Sequence, residues 1–210
     1  YYYGNRPTGV VIPRFVNLDE KQAYLRGFSY QGGAYRAGWS RGVREAGIGV
    51  EFKQQLQEPG PWKFVLTTFA ECLPMEHNQI SLDYERTDVD GLPQLKIDFR
   101  FGENELKLLA AAKVEAAKMV EAAGGKVIFG RDQPNPGGSA IHEMGGARMG
   151  KDPKTSVLNA YNQAHDVANL FVTDGAAMAS SACQNPSLTY MALTARAARK
   201  AAELVKSGAV

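Results

Sequence analysis

The sequence predicts a mixed α/β chain in two parts: an antiparallel-sheet region with one long helix, α+β in character, followed by the C-terminal portion of an α/β domain. Three observations carry the prediction. Ile80, Leu82 and Tyr84 alternate with polar neighbours, and so do Leu95, Ile97, Phe99 and Phe101, the period of a sheet with one buried face. Residues 104–123 change to helical composition. An apolar segment, Asn169–Thr173, runs into Asp174-Gly175, then a loop and an Ala-rich helix, the order in which open α/β sheets build ligand sites at the carboxyl ends of their strands.

From residue 1 to about 70 the text is rich in Gly, aromatics and Arg, as in the run from Gly27 to Trp39, which favours short strands and loops over long helices. Gly91-Leu92-Pro93 marks the turn between the two alternating strands. In the helix at 104–123, Leu106, Leu109, Ala110, Lys113, Ala117 and Val120 recur at three-to-four spacing, and Gly124-Gly125 supplies a left-handed stop. Val127-Ile128-Phe129 reads as a short strand. The breaker cluster Gln133-Pro134-Asn135-Pro136-Gly137-Gly138-Ser139 is the best boundary in the chain, dividing a domain at 1–137 from one at 138–210. Beyond it lie a Gly/Met segment at 142–150, the strand at 169–173 and a final helix from about 187 to 206.

Charge and cysteine usage exclude several classes. Among 210 residues, 24 basic and 22 acidic side chains leave a net charge of +2 with no run of five like charges, so the footprint needed for nucleic-acid binding is missing. No stretch approaches the roughly 18 consecutive apolar residues of a membrane-spanning helix, so an integral membrane protein is not expected. Two cysteines, Cys72 and Cys183, are too few for a disulfide framework or a cysteine metal site and read as free, buried thiols. The chain opens Tyr1-Tyr2-Tyr3-Gly4 without an initiator Met, so the expectation is part of a longer chain.

Three histidines carry what chemistry there is. His142 lies in a loop whose glycines let backbone approach a ligand closely; beside Glu143 it also reads as an ordinary structural histidine. A metal-dependent hydrolase would use His142, Glu143 and His165, but the candidates for a third and fourth ligand, His165 and Asp166, lie in a segment that reads as a turn before a strand, and no metal is expected. His165, next to Asp166, reads as structural, and His77 with Asn78 as a pocket edge or surface pair. Gln31, Tyr35 and Trp39 are residue types that bind or stack on sugars, and equally ones that pack at a Gly-rich bend. Asn185-Pro186 at the mouth of the final helix fits cap chemistry, Asn capping and Pro taking the first helical position. A helix start also offers free N–H groups and a partial positive charge to an anion.

The ordered motifs His142-x-x-Gly145-x-x-Arg148-Met149-Gly150, Asp152-Pro153-x-x-Ser156-Val157-Leu158-Asn159, Val167-x-Asn169-Leu170-Phe171-Val172-Thr173-Asp174-Gly175 and Asn185-Pro186-x-x-Thr189 closely resemble the C-terminal segment of the glucose-methanol-choline (GMC) family of FAD-dependent oxidoreductases. The match covers about the last 70 residues. Glu71-Cys72-Leu73-Pro74, Asn78-Gln79-Ile80-Ser81-Leu82 and Leu92-Pro93 resemble that family's substrate domain, especially the bacterial branch acting on sugars, gluconate and glucosides.

The resemblance implies a substrate domain followed by the last strand and helix of an FAD-binding, Rossmann-like domain. It implies His142 and Asn185 as the catalytic pair, His142 taking the hydroxyl proton while the flavin takes a hydride, and Asn185 holding the same oxygen. Asp174, Gly175, Asn185, Pro186 and Thr189 fall at cofactor-binding positions, with Gln31, His77 and Asn78 as candidate substrate contacts. Where the family usually has Gly-Thr, this chain has Gly145-Gly146, which removes one local hydroxyl. The family's Gly-x-Gly-x-x-Gly turn is missing from these residues, so the reading requires a half or subunit that binds FAD, with a sugar-type substrate and a small subunit or cytochrome as electron acceptor. The alternative is a non-catalytic scaffold or carbohydrate-binding module that keeps the fold.

Overall fold

The computed structural model of the chain describes residues 9–36 and 38–210, so the opening Tyr1-Tyr2-Tyr3-Gly4 and Ala37 lie outside it. Its first layer is an antiparallel sheet of β1 (Val10–Pro13), β2 (Phe28–Arg36) and β3 (Trp62–Ala70), with β2 in the centre. A nine-residue helix, α1 (Gly49–Gln57), interrupts the connection from β2 to β3. The sequence, which favours short strands and loops over long helices up to about residue 70, does not predict it. Pairing of Phe28 with Ala70 and Tyr30 with Thr68 fixes the register, so Phe28, Tyr30, Ile12 and Leu66 share one face.

That face is closed by α2 (Glu103–Ala122), which confirms the helix predicted at 104–123 and ends before Gly124 in the left-handed region, φ +79°. The stripe it buries is Glu105, Leu108 and Ala112, continued by Ala116 and Met119, one residue out of phase with the Leu106, Leu109, Lys113 series. The sheet selects it because Tyr30, fully buried, donates its hydroxyl to the Ala112 carbonyl at 2.6 Å. Glu105 is buried within the stripe because its carboxylate accepts the N–H groups of Gly102 at 2.8 Å and Leu73 at 3.0 Å. Burial alone would raise its pKa; these donors outweigh it and hold the carboxyl below the usual range.

The alternating segments form β4 (Gln79–Thr87) and β5 (Pro93–Asp98), a hairpin turned at Gly91, φ +81°, although β5 stops short of Phe99 and Phe101, which the alternation includes. The hairpin's apolar face is open, not buried as the alternation predicts: Ile80 and its partner Ile97 are 63% and 64% exposed, because no element among the described residues lies over them. Val127-Ile128-Phe129 is not a strand. With no strand among the described residues pairing with it, the segment stays irregular and exposed.

Residues 147–177 form a second, smaller core of Leu158, Ala164 and Ala177 with Ala147, Met149 and Val172 packed on it. The expected strand at 169–173 is reduced to a single antiparallel bridge, Gln163 to Phe171, made by the bonds from the Ala164 N–H to Leu170 and from the Val172 N–H to Asn162 and not extended into a ladder. The final helix, α3 (Ser187–Ser207), is where the sequence placed it and ends at left-handed Gly208. Its N-cap is Pro186, without a side-chain cap, so the reading of Asn185 as the cap is corrected. Cys72 and Cys183 are free but half-buried rather than buried. The chain exposes 16032 Å², whereas a compact protein of 22.8 kDa exposes roughly 9,600 Å². No described helix is long and apolar enough to cross a membrane.

Candidate active site

The sheet face opposite α2 carries Ser29 and Gln31 from β2, with Phe69 and Thr67 directly across on β3. Two distant segments meet there. The ring of His142 lies 6.3 Å from that of Phe69, tilted by 34°. The Ser29 hydroxyl donates to the Cys183 carbonyl at 3.3 Å, and the Cys183 thiol donates to the Gly27 carbonyl at 3.3 Å. The loops bearing His142 and Asn185 are therefore anchored on one cross-strand pair, Ser29 and Phe69.

Behind this point the Gly/Met segment runs beside a 3-10 turn, Gly175–Ala177. The N–H groups of Gly145, Ala147 and Met149 donate to the carbonyls of Gly175, Ala176 and Ala177 at 3.3, 2.9 and 2.9 Å. Gly145 needs its φ of +94°, which a side chain rarely tolerates. Gly175 is needed for space, since a Cβ there would lie 2.9 Å from the Tyr190 hydroxyl and 3.0 Å from the Glu143 carbonyl. Tyr190 donates to the Met144 sulfur at 3.3 Å, and Thr194 to the Thr173 carbonyl at 3.1 Å, which tie the start of α3 to this turn. Burial first, then the Asp174 and Glu143 carboxylates, push the Tyr190 phenol up.

Asp174 is exposed, and one of its carboxylate oxygens accepts the Ala176 N–H at 2.9 Å. Asn185, Ser187, Leu188 and Thr189 are exposed, and the first N–H that α3 engages is that of Tyr190, to Pro186 at 3.1 Å. The helix start thus presents open donors beside the His142 loop. Glu143 does not serve His142: its carboxylate braces the Ala140 N–H at 3.1 Å. Ile141, just before His142, holds a φ of +56°, costly for a β-branched residue by about 1–3 kcal/mol.

A single family model, described as GMC oxidoreductase, matches residues 74–194, more than half of the chain. The chain belongs to the GMC oxidoreductase family. It is 32% identical to 2-methyl-1,2-propanediol dehydrogenase of Mycolicibacterium austroafricanum over 87% of this chain and 34% of that protein. It is 33% identical to the fructose dehydrogenase large subunit of Gluconobacter japonicus over 66% of this chain and 25% of the relative. With the gluconate 2-dehydrogenase flavoprotein of Pantoea cypripedii the figures are 34% identity, 56% and 20%. The chain spans about a third or less of the length of these relatives. The family match begins at Pro74, so it reaches well upstream of the motif string at 142–189.

Within this GMC chain the remaining candidates separate. Gln31 is half-buried on the sheet face that meets His142. Asn78 stands at the foot of β4, its side-chain carbonyl accepting the Arg100 N–H at 2.9 Å, and the buried Nε2 of neighbouring His77 has no partner among the described residues. His165 shares a hydrogen bond with Ser156 at 3.1 Å, away from this face. Tyr35 and Trp39 are exposed at the far end of β2. Sequence reasoning passed over Ser29, Phe69 and Tyr190. Only Ser29 carried a signal, as a small polar residue between two aromatics that point the other way.

Proposed function

We propose that this chain supplies the substrate-facing part of an FAD-dependent GMC enzyme that oxidises a CH–OH group of a sugar, sugar acid or glycoside. The observation that supports it most is the convergence of the His142 and Asn185 loops on Ser29 and Phe69 beside the uncapped start of α3. In this reading a ring nitrogen of His142 takes the hydroxyl proton as the C–H bond is broken, and the Asn185 amide donates to the oxygen on which charge develops. FAD, when bound, supplies the acceptor for the hydride. The open N–H groups at the α3 start fit a group that becomes anionic on accepting a hydride, and Asp174, Gly175, Asn185, Pro186 and Thr189 are the residues that would face it. Gln31, His77 and Asn78 are assigned toward substrate, His77 with an unpartnered ring nitrogen to offer.

We also propose the division into domains at 1–137 and 138–210; two separate cores, one drawn from residues 12–119 and the other from 147–177, support it. Working with a further half or subunit that binds FAD is supported by the excess of exposed surface and by the open outer face of α3, where Leu188 and Met191 are 79% and 68% exposed. A small subunit or cytochrome completes the proposal as electron acceptor. The test is to purify the complete protein and add sugars without oxygen. A yellow protein bleached by one of them is the expected result, whereas a colourless or unresponsive one would leave the fold as a scaffold or binding module.

A further inference from the structure

The structure assigns Ser29 and Cys183 the role of positioning residues that set the place of Asn185 relative to His142, an inference that rests on the catalytic reading above. Ser29 is only 1% exposed, and a buried hydroxyl is costly unless bonded; its partner is the Cys183 carbonyl, 154 residues away at 3.3 Å. The Cys183 thiol is held in turn by the Gly27 carbonyl, which also accepts the Glu71 N–H at 3.3 Å. Burial, with the Glu71 carboxylate second, pushes that thiol up and keeps it protonated as a donor. Cys183 is thus fixed at both its backbone oxygen and its side chain.

Only Gln184 separates this fixed point from Asn185, and buried Pro186 closes the other side. Asn185 has no helical or strand bonding of its own; it is held between Cys183, two residues before it, and the N-cap Pro186, whose carbonyl accepts the Tyr190 N–H at 3.1 Å. Its position is therefore set from two sides, by the clamp at Cys183 and by the start of α3 at Pro186, and the clamp is the side that refers it to the sheet. Directly across the ladder from Ser29 stands Phe69, whose ring flanks His142. Cross-strand partners stay about 4.5–5.5 Å apart at Cα, and β2 and β3 are paired over nine residues, so the anchors of the two loops cannot drift relative to each other. The geometry makes one rigid footing for a proton acceptor and an oxygen donor that come from segments far apart in the chain.

The experiment uses the complete flavin-containing protein and reads the anaerobic rate of flavin reduction at saturating substrate, with KM and flavin content alongside. Ser29→Ala and Cys183→Ala are each expected to slow reduction about 10-fold or more, the scale of a displaced catalytic group, with KM within about twofold and flavin retained. Cys183→Ser, which keeps a donor to Gly27, is expected to restore the rate to within about threefold. In an Asn185→Ala background, Ser29→Ala should cost nothing further, because the group it positions is gone. A parental rate in Ser29→Ala, or losses that multiply in the double variant, would overturn the positioning role while leaving Asn185 catalytic. If Ser29→Ala fails to fold, equal rates for Cys183→Ala and Cys183→Ser overturn it. A parental rate in Asn185→Ala alone would remove the catalytic reading of that residue, and this inference with it.

Discussion

α2 and α3 are nearly equal in length, 20 and 21 residues, and both carry apolar residues at helical spacing, yet they are completed in different ways. α2 finds its cover inside this chain: the β1–β3 sheet takes Leu108 and Ala112 to zero exposure. α3 packs only its inner side, centred on Ala197 at 1%, while Leu188, Met191 and Val205 remain exposed on the other. The sheet and the hairpin repeat the contrast, since β1–β3 are backed by α2 and β4–β5 by nothing described. Periodicity encodes that a face requires a cover; it does not encode where the cover comes from.

The largest effect that sharpens this contrast is Leu108→Ala, expected to lower the stability of the complete protein by about 2–5 kcal/mol in urea unfolding, because a fully buried leucine leaves a cavity under a rigid sheet. A loss under about 1 kcal/mol would mean that α2 is not held by this core. Met191→Ser probes the opposite case. If the outer face of α3 is covered in the complete protein, it should cost about 2 kcal/mol, the burial of one large apolar side chain; a change within about 0.5 kcal/mol would show that this face stays in water.

The smallest effect concerns Glu105. Its folded pKa is lowered, so its ionised form contributes stability above the ordinary glutamate value near 4.3 and loses that contribution as pH falls through the lower folded value. Glu105→Gln should cost about 1–2 kcal/mol at pH 7, and the gap between variant and parent should narrow below about pH 4. A gap that does not change with pH would mean that the Gly102 and Leu73 donors do not depend on the charge.

What the sequence made legible follows the same division. Strong local periodicity located α2, α3 and the β4–β5 hairpin, because those patterns depend on neighbours three, four or two residues away. The α2 phase was misread because Leu106 is more apolar than Glu105, and only the Leu73 and Gly102 donors, which a linear reading does not bring together, make a buried glutamate the better choice. The expected strands at 127–129 and 169–173 failed because a strand is defined by its partner: among the described residues none pairs with the first, and the second pairs through one bridge only, at Gln163. At the candidate site the motif string drew attention to His142, Asp174 and Asn185, but the footing of the His142 and Asn185 loops on Phe69 and Ser29 depends on a ladder register that no motif contains.

His142 is proposed as the base of an alcohol-oxidising flavin site. The most direct test is the rate of anaerobic flavin reduction in the complete protein carrying His142→Ala. A drop of at least about 100-fold with flavin content unchanged is the predicted result, the scale of losing a positioned acid–base group. Reduction at the parental rate would contradict the assignment and return His142 to the structural role that its contact with Phe69 would equally allow.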